Sequence, residues 1–145
     1  MIDFFDGAYA FLSNFYLCDV KFEGLTYKNT ESAFQAGKVK NIEERKRFQN
    51  LSPSLAKLNG RRVSLREDWE FVKDNYMYRI VKAKFVQNPN LKKLLLNTKQ
   101  EYLIEGNTWH DNYWGDCCCS KCKNKKGKNQ LGKILMEVRE ELMDE

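Results

Sequence analysis

Histidine occurs once, at position 110, and proline only twice in 145 residues. One imidazole excludes a multi-histidine metal centre and leaves any histidine-dependent triad to that single residue. Chemistry in this chain is therefore expected to run on carboxylates, lysines, amides and aromatic rings. Also missing is an apolar run of the roughly 18 residues that a membrane-spanning helix needs, and Met1 to Phe15 show no basic stretch followed by an apolar one. The expectation is a cytoplasmic chain, neither exported nor held in a membrane. No Ser/Pro-rich linker, repeat or low-complexity block appears before Lys121, which argues for one continuous domain over residues 1–145.

What the sequence does contain suits such a domain. Hydrophobic residues make up 42% and charged residues 31%, so a chain of this length can bury a core without covalent staples. Nine Phe, seven Tyr and three Trp supply large rings for a core or a cleft. The net charge of +5 favours phosphorylated or polyanionic partners and also serves solubility. The five cysteines are Cys18, Cys117, Cys118, Cys119 and Cys122. Three in a row pair poorly with one another and an odd total leaves a thiol over, so a reducing compartment fits better than a disulfide framework.

The pattern from Tyr9 to Tyr27 alternates loosely between apolar and polar residues and predicts two or three short strands, with a hairpin turn at Glu23-Gly24. Thr30 is expected to cap a helix reaching Val39, and Ser52-Pro53 to open another that stops at Gly60. The spacing of Trp69, Val72, Tyr76, Ile80 and Phe85 predicts a long amphipathic helix from about Glu67 to Gln87. A short Leu-rich helix follows Asn88-Pro89, Tyr102-Leu103-Ile104 is a strand candidate, and Leu131, Leu135, Val138 and Leu142 mark a C-terminal helix. The expected class is α+β: a helix-rich single domain with a small antiparallel sheet.

Four groups of residues could carry chemistry. Glu31, Gln35 and Lys38 share one helix face at i, i+4 and i+7, which lets a carboxylate and an amine meet one ligand or form an ordinary solvated face. Ser13, Asn14 and Phe15 offer hydroxyl, amide and ring groups for a sugar or base edge, or a turn with core rings. Trp109 to Asp116 mixes three large rings with two Asp and an Asn, a composition suited to stacking on a planar base. Finally, Cys117-x-Cys119-x-x-Cys122 could hold Zn²⁺ with Cys118, His110 or water as a fourth ligand. The usual pair of CxxC hooks is absent, so a reduced thiol-bearing loop is the reading carried forward, with no metal and no cofactor assigned. The lysines from Lys121 to Lys128 form a solvated loop or a strip for nucleic acid contact.

Taken in order, the pattern resembles the NADAR domain, the YbiA-like family. The motifs are Phe5-x-Gly7-x-Tyr9-x-Phe11-Leu12-Ser13-Asn14-Phe15, Tyr27-x-x-x-Glu31-x-x-Phe34-Gln35-Ala36-x-Lys38 and Lys84-Phe85-x-Gln87-Asn88. They continue with Asp111-x-x-Trp114-Gly115 and Gly127-x-Asn129-x-Leu131-Gly132. The resemblance implies an α+β fold and N-glycosidase activity, on phosphoribosylamino-pyrimidine intermediates of riboflavin synthesis or on ADP-ribose attached to guanine in nucleic acid. A binding module for ADP-ribose or nucleotides is the alternative of another class. Carried onto this chain, the resemblance makes Glu31, Lys38 and Asp111 the catalytic candidates. Ser13, Asn14, Phe15, Gln35, Trp69, Trp114, Gly115 and Asn129 become the substrate-binding candidates. The implied partner is a small N-riboside 5′-phosphate or an ADP-ribosyl group. Residues 117–126 depart from the family pattern, where shorter members pass through a Gly-rich turn.

Overall fold

The computed structural model describes residues 1–145. Its chain contacts gather into two compact units: a central one, Asn14–Leu91, and a terminal one combining Met1–Ser13 with Lys92–Glu145.

The central unit begins with an antiparallel hairpin of β1 (Leu17–Phe22) and β2 (Leu25–Asn29). Glu23 and Gly24 turn it with φ of 48° and 87°, the left-handed pair that a tight two-residue hairpin requires. Glu23 accepts this conformation while its carboxylate bridges Arg45 at 2.9 Å and Arg79 at 3.4 Å. Helices α1 (Thr30–Ala36), α2 (Ile42–Lys46), α3 (Pro53–Gly60) and α4 (Trp69–Gln87) follow. Ser52 caps α3 through its hydroxyl on the Leu55 N–H, with Pro53 in the first turn. The buried face of α4, namely Trp69, Tyr76, Met77, Ile80, Val81, Lys84 and Phe85, meets Val20, Tyr27 and Phe34 in the core. At the end of α4, the Gln87 amide donates to the Lys21 carbonyl at 2.8 Å and accepts from its N–H at 2.7 Å. That amide completes the free edge of β1 as a short strand would.

The terminal unit opens with a 3-10 helix, Gly7–Leu12, where the sequence pattern suggested a strand. Helix α5 (Pro89–Leu96) leads into it from the central unit. Leu103 pairs with Ile2 in a single parallel bridge, so the strand expected at 102–104 is one bridge long. Two-residue strands β3 (Gly106–Asn107) and β4 (Asp116–Cys117) pair in parallel, and α6 (Gln130–Met143) packs Leu131, Leu135, Val138 and Leu142 inward. Buried Arg139 is satisfied by the Thr98 hydroxyl at 2.9 Å and the Glu101 carbonyl at 2.8 Å. The helix-rich α+β class with a small antiparallel sheet is what the chain adopts. No helix is long and apolar enough to cross a membrane.

Candidate active site

The position of the Glu31 group follows from how α1 starts and stops. Asn29, not Thr30, is the cap: its side-chain oxygen accepts the Ser32 N–H at 2.7 Å, while its amide nitrogen donates to the Leu51 carbonyl at 3.1 Å. Thr30 instead donates its hydroxyl to the Asn14 carbonyl, which also takes the Glu31 N–H at 3.1 Å. Asn14 thereby fixes the first turn of α1, and its own amide is spent on the Met77 sulfur at 3.4 Å. The helix ends at Ala36, three residues short of the expected Val39, because Gly37 closes it and Lys38 N–H turns back to the Gln35 carbonyl.

On this short helix Gln35 donates to the Glu31 carboxylate at 2.6 Å. The amide oxygen of Gln35 is buried and has no hydrogen-bond partner, a cost on the order of 1–3 kcal/mol. A pair arranged for stability alone would not leave that acceptor stranded, so the arrangement favours a functional reading over a solvated face. Lys38 joins the group from the turn beyond the helix. Burial lowers its pKa, the Glu31 charge opposes that shift, and Arg61 adds to it. The backbone at this turn is held by Arg66, which donates to the Gly37 and Lys38 carbonyls while its guanidinium is paired with Asp68.

The remaining central candidates divide in two. Phe15 is 42% exposed, with the Lys57 ammonium 6.0 Å from its ring centre, and can stack on a planar group. Trp69 is 5% exposed and packed between Phe34 at 5.1 Å and Tyr76 at 5.9 Å. Its ring supports the underside of α1, so this substrate-binding candidate lies in the core, packed against those rings. A residue that spacing did not single out stands out here. Lys84 is fully buried beside Cys18, with the Tyr16 ring 5.8 Å from its ammonium, and burial lowers its pKa to about 8.

In the terminal unit, Ser13 ends the 3-10 helix, and the 108–115 loop is organised by Asn107. Asn107 is buried and accepts the N–H groups of Trp109 and Asp111 while donating to the Asp111 carbonyl at 2.8 Å. Asp111 in turn accepts the N–H groups of Tyr113 at 3.1 Å and Trp114 at 2.9 Å on one carboxylate oxygen. Gly115 is required by closeness: a Cβ there would stand 2.8 Å from the Asn107 amide and nearer still to the Glu105 carbonyl. Asn129 was expected to orient substrate. Its amide is instead occupied by the Glu105 N–H at 2.9 Å and the Leu103 carbonyl at 2.9 Å, which makes it a clasp on the start of α6. The Lys121, Lys123, Lys125, Lys126 and Lys128 side chains are exposed.

Recesses of about 720 Å³ in the terminal unit and 330 Å³ in the central unit are lined by other residues, such as Asn97 and Gln100 or Arg47 and Arg62. Neither includes Glu31, Gln35 or Lys38, and neither is lined by a buried amide oxygen without a partner, so chemistry rather than volume identifies the candidate site.

A helix-rich α+β chain with a carboxylate–amide pair on a short capped helix falls within a defined class. A family model for the NADAR domain matches residues 4–143, and the chain belongs to that family. It is 41% identical over 137 residues to the N-glycosidase YbiA of Shigella boydii, covering 92% of this chain and 82% of that protein. Over 96% of its length it is 32% identical to part of a riboflavin biosynthesis protein of Vibrio vulnificus, of which it covers 37%. The NMR structure of Escherichia coli YbiA superimposes with a TM-score of 0.81 at 37% identity, covering 99% of this chain and 88% of that one.

Proposed function

We propose that the protein is an N-glycosidase that hydrolyses the ribosyl C1′–N bond of phosphoribosylamino-pyrimidine intermediates of riboflavin synthesis, with Glu31 as the working carboxylate. The hydrolase class is supported by the N-glycosidase relatives at 41% identity, and the substrate class by the riboflavin biosynthesis relative. The observation that carries the residue assignment is the Glu31–Gln35 pair, kept at 2.6 Å beside a stranded amide oxygen and a half-buried lysine.

In the hydrolysis the C1′–N bond breaks with its electron pair leaving on nitrogen, which takes up a proton, and water supplies the new C1′–O bond. Positive charge builds on the ribosyl carbon as the bond lengthens. Glu31 stabilises that charge or takes the proton of the attacking water, and Gln35 holds its carboxylate in one orientation. Lys38 binds the phosphate or ribose as a cation. With its amine neutral it adds instead to C1′ of the ring-opened imine. The pyrimidine amine leaves as the lysine Schiff base forms, and water hydrolyses that Schiff base to free Lys38 and ribose 5-phosphate. The lowered pKa raises the share of neutral amine. We assign Phe15 to base stacking and Asn14 to positioning α1; for Asp111 and Trp114, on a loop of the terminal unit, ribose and base contacts are proposed on the family resemblance alone.

The test is a parallel assay on a phosphoribosylamino-pyrimidine and on ADP-ribosylated guanine in single-stranded DNA. Release of ribose 5-phosphate from the first substrate alone is expected. Cleavage of the second alone moves the protein to the ADP-ribosyl class, and tight binding of either without turnover makes it a binding module.

A further inference from the structure

We propose that His110, Cys117, Cys119 and Cys122 form a four-ligand structural zinc site. Their ligand atoms all lie within 4.8 Å of one another. The imidazole Nδ1 stands 3.2 Å from the Cys119 sulfur and 3.4 Å from the Cys122 sulfur. A tetrahedral Zn²⁺ with bonds of about 2.3 Å to sulfur and 2.0 Å to nitrogen sets ligand edges of roughly 3.5–3.8 Å. These four side chains already lie close to that tetrahedron. Fully extended chain from His110 to Cys122 would hold them far apart, so the loop's fold, not sequence adjacency, assembles the group.

The surroundings of the sulfurs are those of metal-bound thiolates. Cys117 sulfur accepts the backbone N–H of His110 at 3.3 Å and of Cys119 at 3.5 Å, and Cys122 sulfur accepts the Asn112 amide at 3.4 Å. Asn112 uses its oxygen on the Cys117 N–H at 2.9 Å, tying two ligand positions through one side chain. Such outer contacts orient ligands and spread their negative charge. His110 also adopts a left-handed backbone, φ 69°, a cost that non-glycine residues bear where the side chain must be aimed. Cys118, between two ligands, is exposed and outside the group. Three soft thiolates with one imidazole select Zn²⁺ over hard cations, and four protein ligands leave no open position for substrate, so the metal is structural. It would fasten the segment carrying Cys119 and Cys122 to the base of the loop that carries Asp111. The reduced thiol loop favoured by spacing alone is replaced here, because spacing could not show that His110 folds back onto the cysteines.

The experiment is metal analysis of the protein, purified under reducing conditions with zinc present and no chelator, and of variants shown to be folded by circular dichroism. One zinc per chain is expected, with Co²⁺ giving the intense visible bands of a tetrahedral thiolate site. Cys119→Ser and Cys122→Ser are expected to lower zinc affinity at least about tenfold. Cys118→Ser and Cys18→Ser retain the metal, and His110→Cys, which restores a fourth soft ligand, also retains it. Folded wild-type protein without zinc, equal loss in Cys118→Ser, or a disulfide between two of the three cysteines under the same conditions would overturn the proposal. Metal content does not depend on turnover, so the result stands apart from the proposed glycosidase activity.

Discussion

Gly60 lies against Gln35 so closely that a Cβ at position 60 would stand 2.6 Å from the Gln35 side-chain carbonyl carbon and closer to its oxygen. The last residue of α3 therefore sets the orientation of the amide that holds Glu31. Gly60→Ala is expected to drive Gln35 off Glu31, cost about 1–3 kcal/mol by overpacking and lower turnover by about 10²-fold through misplacement of the carboxylate. Thermal melts and steady-state rates check both. A loss of stability with unchanged turnover would remove Gln35 from the positioning role.

Glu31→Gln keeps the size and an acceptor for the Gln35 amide while removing the charge. Turnover should drop by about 10²–10⁴-fold with a melting temperature close to that of the parent. Near-normal rates would sink the Glu31 assignment. Borohydride trapping during turnover, followed by peptide mapping, separates a covalent Lys38 adduct from simple binding, and an adduct at Lys84 would move the amine role there.

Lys84 gives a pH signature. Its folded pKa of about 8 lies below the ordinary 10.5, so between those values the unfolded chain binds the proton and the folded chain does not. Stability contributed by this residue therefore rises with pH from about 8 to 10.5, and its full cost, on the order of 3 kcal/mol, is present below pH 8. Lys84→Met should flatten that rise and raise stability at pH 7 by about 1–3 kcal/mol. Denaturant unfolding at pH 7 and pH 10 reads the difference, and an unchanged pH slope would contradict it.

Asp111→Asn preserves an oxygen for the Tyr113 and Trp114 N–H groups, whereas Asp111→Ala removes it. The Asn variant is expected to melt with the parent and lose at least about tenfold in turnover. The Ala variant should also lose about 1 kcal/mol of stability, as when a capping acceptor is deleted. Parent-like rates in the Asn variant would confine Asp111 to holding the loop.

Much of this architecture is legible in local patterns. The Glu23-Gly24 turn, the Ser52-Pro53 start and the periodic run ending at Gln87 each follow from short-range chemistry, and each is where the pattern puts it. The Glu31–Gln35 pair is legible too, since positions i and i+4 on one short helix are fixed by its pitch, whereas Lys38 lies past the end of α1 and reaches the group from the turn. Long-range decisions are not. Periodicity places Trp69 on an apolar face but does not say that Phe34 and Tyr76 enclose it. Asn29 displaced Thr30 as the cap because Leu51, distant in sequence, rewards its amide. The packing roles of Gly60 and Lys84 are not legible in their own segments, because their neighbours Gln35 and Tyr16 come from other elements. A lysine inside the apolar stripe of α4, between Val81 and Phe85, was the one available sign.

The path of residues 118–126 leaves and returns at almost the same place. Cys118 N–H bonds to the Asn107 carbonyl at 2.8 Å where the segment departs, and Gly127 N–H bonds to the Asp116 carboxylate at 3.0 Å where it comes back. A segment pinched at its neck in this way is an Ω-shaped loop, and changes of length at its tip, past Cys122, need not be transmitted to the chain on either side. The lysine-rich tip from Lys123 to Lys126 can therefore be shortened or extended while Trp114, Gly115 and Asn129 keep their places, whereas Cys119 and Cys122 stay tied to His110 and Asn112 near the neck.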